Sequence, residues 1–277
     1  MKLSKREAGI SYLKEQQQLF RCPICKSEMR LDDNGTLRCI EQHSFDIAKQ
    51  GYVNFLTKPV HSMYSKELFE SRNEIINSGL YDPVHEKIAQ LLTSNINYIL
   101  DTGCGEGTHL VKITDKLNSE IVSVGIDISK EGIQTAAKHY EQKIWCVGDL
   151  ANSPFQKESF DCILNFLSPA NYDEFKRLLL PKGKVIKVVP QEGYLQELRK
   201  QAFAQSEKEK YSNEQTVQRF KDFFSKVEVH RITYTKQLAH TLVPKLLEMT
   251  PLGWHVTNGN EMDINEISID LDILVGE

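Results

Sequence analysis

The sequence has no apolar run near the roughly 18 residues that a membrane-spanning helix needs. Its opening stretch, MKLSKREAGISYLKEQQQLF, carries charges throughout and has no apolar h-region, so no secretory signal is expected and the cytoplasm is the expected compartment. A large excess of charge of one sign is also missing. The net charge of −4 argues against indiscriminate coating of nucleic acid, although residues 1–60 hold 10 Lys/Arg against 7 Asp/Glu and leave room for a local basic patch. With 15 glycines and 9 prolines in 277 residues, collagen-like and low-complexity chains are excluded. Dividing the length by about 150 residues per domain gives roughly 1.8, which suggests one large domain with a small appendage.

Cysteine is scarce but unevenly placed. Cys104, Cys146 and Cys162 sit in apolar segments and read as small buried residues. The other three lie in FRCPICKSEMRLDDNGTLRCIEQHSFD, which reads C-x2-C-x13-C-x3-H: Cys22, Cys25, Cys39 and His43. In a reducing compartment such a cluster is a metal site before it is a disulfide. The Asp33-Asn34-Gly35-Thr36 stretch predicts a type I′ hairpin that folds the second pair onto the first. Three thiolates and an imidazole close a tetrahedral shell, which suits structural Zn2+ without an open catalytic position. In so small a unit the metal would supply much of the folding energy.

The remainder alternates strands and helices. KELFESRNEIINSGL predicts a helix ended by Gly79, and Asp82 is the expected cap of the next helix, with Pro83 in its first turn. INYIL forms a buried strand that runs into Asp101-Thr-Gly103-Cys-Gly105-Glu-Gly107 at a helix entrance. Further strands end at Asp127, at Asp149 and near Asn165; LLLPKGKVIKVV adds a helix, a glycine turn and a fifth strand. The implied architecture is α/β, a doubly wound, mostly parallel sheet with its ligand at the carboxyl ends of the strands. Dinucleotide sites use G-x-G-x-x-G to seat a pyrophosphate, whereas here the spacing is G-x-G-x-G behind an acid. A carboxylate at Asp101 repels pyrophosphate and suits the ammonium of a methionine moiety. Asp127 for the ribose hydroxyls and Asp149, followed by Leu150, for adenine complete a site for S-adenosylmethionine.

This pattern resembles the class I Rossmann-like methyltransferases over residues 80–277, with a mostly parallel seven-stranded sheet whose last strand is antiparallel. FSKVEVHRITYT and NEISIDLDILVG would be the closing antiparallel pair, with LLEMTPLGW a helix and turn between them. The ribbon running into HSFDIAKQGYVNFL, followed by GLYDP, ILDTGCGEG and LLEMTPLGW, is similar to the RlmA-type family of 23S ribosomal RNA (guanine-N1)-methyltransferases, and LNFLSPANY resembles its Gram-positive subgroup associated with tylosin-type macrolide resistance. The resemblance implies a zinc-ribbon RNA-recognition domain over 1–60, a methyltransferase domain over 61–277, a homodimer, and the hairpin-35 loop of 23S rRNA as substrate. It also carries donor contacts onto Tyr81, Thr108, His109 and Tyr194. Tyr81 could instead be a partly buried surface tyrosine and His109 a bystander in a helix first turn.

Asn165 could read the guanine edge with one donor and one acceptor, or cap the helix that follows. Arg21, Lys26, Arg30 and Arg38 would touch phosphates if the ribbon selects RNA, or only solvate a small domain. NFLSPA lacks the tetrad of amino-group methyltransferases, which disfavours exocyclic amine methylation. Two other classes fit the residues: a small-molecule or protein methyltransferase with a structural ribbon, and a non-catalytic S-adenosylmethionine-sensing zinc regulator.

Overall fold

The computed structural model describes residues 3–60, 64–92, 96–117, 120–203, 211–255 and 264–277. The chain begins with helix α1 (Lys5–Glu15), opened by a capping box in which Ser4 and Glu7 satisfy each other's backbone N–H groups. A three-stranded antiparallel sheet follows: β1 (Met29–Leu31), β2 (Thr36–Cys39) and β3 (Ser44–Asp46). The turn between β1 and β2 differs from the expected type I′. Only Gly35 has positive φ, and Asp32 closes the loop by accepting from the N–H groups of Asn34 and Thr36. A carboxylate that binds its own turn favours this longer loop ending in one left-handed glycine.

The main sheet has eight strands in the order β10-β11-β9-β8-β5-β6-β7-β4. They are β4 (Val53–Asn54), β5 (Tyr98–Thr102), β6 (Val122–Asp127), β7 (Ile144–Val147), β8 (Phe160–Phe166), β9 (Leu179–Pro190), β10 (Val227–Gln237) and β11 (Glu266–Gly276). Neighbours from β4 to β9 run parallel, and β11 is antiparallel to both β9 and β10, as the closing pair predicts. The seven expected strands are thus joined by an eighth. The segment leaving the ribbon adds β4 to the edge of β7, pairing Val53 with Cys146 and Asn54 with Val147. The expected glycine turn before the fifth strand is a register shift within β9, which pairs Leu179 with Phe160 and then Lys184 with Cys162.

Helices α2 (Lys66–Asn77), α3 (Asp82–Leu91), α4 (Thr108–Thr114), α5 (Lys130–His139), α7 (Gln196–Ala202) and α9 (Val243–Glu248) pack on one face. The opposite face carries α6 (Tyr172–Leu178), α8 (Glu214–Phe223), α1 and the ribbon. Between β7 and β8 there is only the 3-10 turn Leu150–Asn152 in place of a crossover helix. The ribbon fills that space: Phe20 stacks on Phe55 at 5.6 Å and meets Phe155 at 5.7 Å, and Phe155 meets Phe160 at 5.3 Å. Each buried aromatic contributes about 1.5–3 kcal/mol. Helix α3 departs from expectation at its start. Tyr81 is the cap residue and makes no side-chain capping bond, while Asp82 is already helical. Burial of the Tyr81 ring fixes where the chain enters the helix. No helix among the described residues is long and apolar enough to cross a membrane.

Candidate active site and zinc centre

The four metal ligands meet in two matching turns. Lys26 donates its N–H to Cys22 O and Gln42 donates to Cys39 O, and both Lys26 and Gln42 adopt positive φ so the chain can curl around one point. Cys25 Sγ lies 3.5 Å from Cys39 Sγ, and His43 Nδ1 lies 3.5 Å from Cys22 Sγ and 3.4 Å from Cys39 Sγ. A tetrahedral zinc shell with bonds near 2.0–2.3 Å has edges of about 3.5–3.8 Å, so the donor set fits Zn2+ through Nδ1 of His43. Ser27 Oγ, 3.1 Å from Cys25 Sγ, is the main influence holding that thiol down to about 6, in favour of the thiolate a metal needs.

The second centre lies at the carboxyl ends of β5, β6 and β7. Asp101 is the buried penultimate residue of β5, and the glycine loop then turns back so that Gly105 N–H donates to Asp127 Oδ2 at 2.8 Å. Asp127 Oδ1 accepts from Ser129 N–H, also at 2.8 Å. Gly107 has φ +78°, and a Cβ there would lie 2.3 Å from the Trp145 ring, so the loop can close on β7 only with glycine. Gly103 completes the loop, its N–H bonded to Ile126 O. Asp149 is exposed and caps the turn after β7 through Ala151 N–H, bringing half-buried Leu150 beside it.

The buried acids carry the chemical signal. Asp101 and Glu106 are 2% and 1% exposed, yet Asp101 Oδ1 and both Glu106 carboxylate oxygens have no hydrogen-bond partner among the described residues. Burial raises the pKa of both, and Asp127 beside Asp101 adds to the effect there. Unsatisfied buried acceptors of this kind are costly without a ligand, and they suit the ammonium of a methionine moiety. S-adenosylmethionine therefore fits the residues present.

The other predicted contacts fall around this loop in different ways. Tyr81 and Tyr194 come together, their hydroxyls 2.6 Å apart, and burial pushes the Tyr194 phenol up to about 12. His109 stacks on Phe166 at 3.7 Å and its Nδ1 lies 2.8 Å from His85 Nε2. Thr108 is turned away: its hydroxyl accepts from Asn73 and meets Tyr140. Asn165 requires correction. It is 0% exposed, its amide faces Thr102, Ser168 and Pro169, and its carbonyl accepts from Lys187. It neither faces a substrate nor caps a helix; Asn171 caps α6. Leu167, at φ 50°, turns the chain just after β8, and the Asn165 amide donates to Ser168 and Pro169 beyond that turn. His85, Glu106 and Lys187 were missed in sequence. Only Glu106, inside the glycine loop, carried a signal that could have been used.

Of the four cations expected at phosphates, Arg30 and Arg38 stand directly opposite each other on β1 and β2, both exposed. Lys26 instead bonds Pro23 O and Asn152, and half-buried Arg21 faces the Glu174–Arg177 pair.

Residues 20–66 match the RlmA N-terminal zinc-ribbon model, and residues 93–243 match a methyltransferase-domain model. YxjB of Bacillus subtilis, whose name gives it as a 23S rRNA (guanine-N1)-methyltransferase, is 42% identical over 272 residues, covering 93% of this chain and 96% of that protein. The chain belongs to the RlmA family. A second relative, the 23S rRNA (guanine(748)-N1)-methyltransferase of Streptomyces fradiae, is 28% identical over 85% of this chain and 86% of its own length. A solved S-adenosyl-L-methionine-dependent methyltransferase of Methanococcus maripaludis has a TM-score of 0.49 and 18% identity, covering 63% of this chain and 92% of that one. As an RlmA-family protein the chain pairs a structural zinc ribbon with a methyl-donor site.

Proposed function

We propose that the chain methylates N1 of a guanine in the hairpin-35 loop of 23S rRNA, as a cytoplasmic homodimer. The observation that carries this reading is the family's zinc ribbon built onto the edge of a methyl-donor sheet, and the guanine position in the name of the Streptomyces fradiae relative supports the choice of base. Residues 1–60 are assigned to RNA recognition and 61–277 to catalysis. The exposed pair Arg30 and Arg38, opposite each other across two strands, supports a phosphate contact; only Arg38 of the two has a carboxylate partner among the described residues, Asp32 at 3.1 Å.

When bound, S-adenosylmethionine supplies a methyl group already activated by its sulfonium. Asp101, with Gly103 and Gly105 shaping the loop beside it, holds the donor's amino end. Asp127 orients the ribose, and Asp149 with Leu150 frames the adenine. Tyr81, Tyr194, His109 and the backbone at Thr108 bound the cleft. Guanine N1 lies on the pairing edge, so the base must leave its helix or already be unpaired. Alignment of N1 contributes most of the rate, with help in removing its proton worth on the order of 10²–10⁴-fold.

Primer extension through hairpin 35, in cells with and without the gene, tests this. A methyl on N1 blocks pairing and stops reverse transcriptase, so a stop that depends on the gene is expected. Its absence would overturn the rRNA target.

A further inference from the structure

Helix α2 crosses directly above the glycine loop. Phe69 and Arg72, one turn apart, point down onto it: a Cβ on Gly105 would lie 3.2 Å from Phe69 Cε1 and 3.3 Å from Arg72 Nη1. Helix α9 holds α2 in place, because Ser71 Oγ donates to the Glu248 carboxylate and Arg72 Nη2 donates to Met249 O at 3.1 Å. The guanidinium carbon sits 5.5 Å from the centre of the Phe69 ring.

Arg72 makes no ion pair among the described residues, although it is half-buried over a loop that carries Asp101 and Glu106, with Asp127 beside it at the end of β6. Its charge reaches Glu106, Asp127, Tyr81, Tyr194 and His109, which together surround the donor cleft. The amino-acid tail of the methyl donor ends in both an ammonium and a carboxylate. The partnerless oxygens of Asp101 and Glu106 suit the ammonium. The carboxylate needs donors of fixed geometry next to them, and a planar guanidinium provides a bidentate pair.

We propose that Arg72 binds the α-carboxylate of the donor's methionine moiety, so that α2 serves as part of the donor site as well as its cover. This rests on the S-adenosylmethionine reading of the glycine loop.

The test is calorimetric titration of the zinc-loaded protein with two nucleosides, S-adenosylhomocysteine and 5′-methylthioadenosine, which share adenine, ribose and sulfur. Only the first carries the amino-acid tail. Arg72→Met should weaken S-adenosylhomocysteine by about 30-fold or more, the loss of a charge-assisted pair, and change methylthioadenosine by less than about 3-fold. Arg72→Lys should recover part of the difference. Equal weakening of both ligands would show that Arg72 only packs the helix and would overturn the proposal, as would no change in either. If the wild-type protein binds neither nucleoside, the donor reading fails and the assignment fails with it. Thermal melting of each variant separates a lost contact from a lost fold.

Discussion

Asn152 donates its side-chain amide to the carbonyl of Pro23 at 3.0 Å, joining the turn that follows Asp149 to the first zinc turn between Cys22 and Cys25. Lys26 bonds the same carbonyl at 2.8 Å and the Asn152 side chain as well, and Arg21 N–H donates to Pro154 O at 2.9 Å. The metal-bound turn therefore braces the segment that carries Asp149. Zinc and methyl donor should be coupled through it: removing zinc with a chelator should weaken S-adenosylhomocysteine about 10-fold. Asn152→Ala, which leaves the ligands intact but removes the bonds to Pro23 O and from Lys26, should weaken it about 5-fold, equivalent to about 1 kcal/mol. Calorimetry on both decides the matter, with zinc content measured on the variant. Affinity indifferent to both changes would refute the coupling.

Lys187 is buried without a carboxylate. Its ammonium donates to Asn165 Oδ1 and to Ser168 O at 2.9 Å, and burial brings its pKa down to about 8. These bonds secure the strained turn at Leu167, where a non-glycine residue at φ 50° costs about 1–3 kcal/mol. Holding the charge inside costs on the order of 3 kcal/mol near neutrality. Lys187→Met removes that cost but strands two acceptors at about 1–3 kcal/mol each, so near pH 7 its melting temperature should stay close to wild type. Turnover should fall about 100-fold as the loop shifts, with donor affinity unchanged. The native lysine loses its proton near 8 and the unfolded one near 10.5, so the unfolded state binds more protons across that window. Wild-type stability should therefore rise relative to the variant from about pH 8 to about pH 10.5. Parallel pH curves from chemical unfolding would contradict this account.

The parts of the site that were legible in sequence are those set by covalent spacing. Cys22, Cys25, Cys39 and His43 lie at metal-ligand intervals, and the glycines from 103 to 107 announce a close turn whatever surrounds them. The rest depends on packing. A two-residue strand, Val53–Asn54, shows no periodicity, yet it places the ribbon on the sheet edge. The placement of Arg72 over the glycine loop depends on the packing of α2, and the burial of Lys187 depends on β9 lying inside the sheet beneath Asn165 and Ser168. The partners of Asn165, Ser168 and Pro169, follow a turn at Leu167 in a conformation its side chain does not advertise. The twelve residues between β7 and β8 carry no crossover helix, because the ribbon's aromatic side chains occupy that space.

Arg30 and Arg38 give the ribbon a measurable electrostatic signature. Each phosphate contact contributes about 0.7–0.9 to the slope of log affinity against log salt. Replacing both with Gln should flatten the slope for a hairpin-35 RNA by about 1.5, with donor affinity unchanged. Arg38 also gives up its 3.1 Å pair with Asp32, an exposed contact worth little. Filter binding over a salt series provides the check, and an unaltered slope would remove the ribbon face from the RNA interface.

His85 makes the fold sensitive to acid. Its ring is fully buried, with Nε2 2.8 Å from His109 Nδ1 and Nδ1 3.8 Å from Asp82, and burial takes its pKa down to about 4. Burial and the neighbouring His85 also lower His109 well below its ordinary value. In the unfolded chain each histidine titrates near 6.5. Between about pH 6.5 and about pH 4 the unfolded state then binds more protons than the folded one, so stability falls as pH falls, by up to about 1.4 kcal/mol per unit for each ring. His85→Gln keeps a partner for His109 and removes one titration, so its stability should decline less steeply through that window. Carboxylates elsewhere titrate equally in both proteins and cancel in the difference. Urea unfolding at matched pH values reads it directly: curves that converge toward acid support the buried neutral pair, whereas a constant offset would show that His85 takes up its proton equally in the folded and unfolded states and would overturn it.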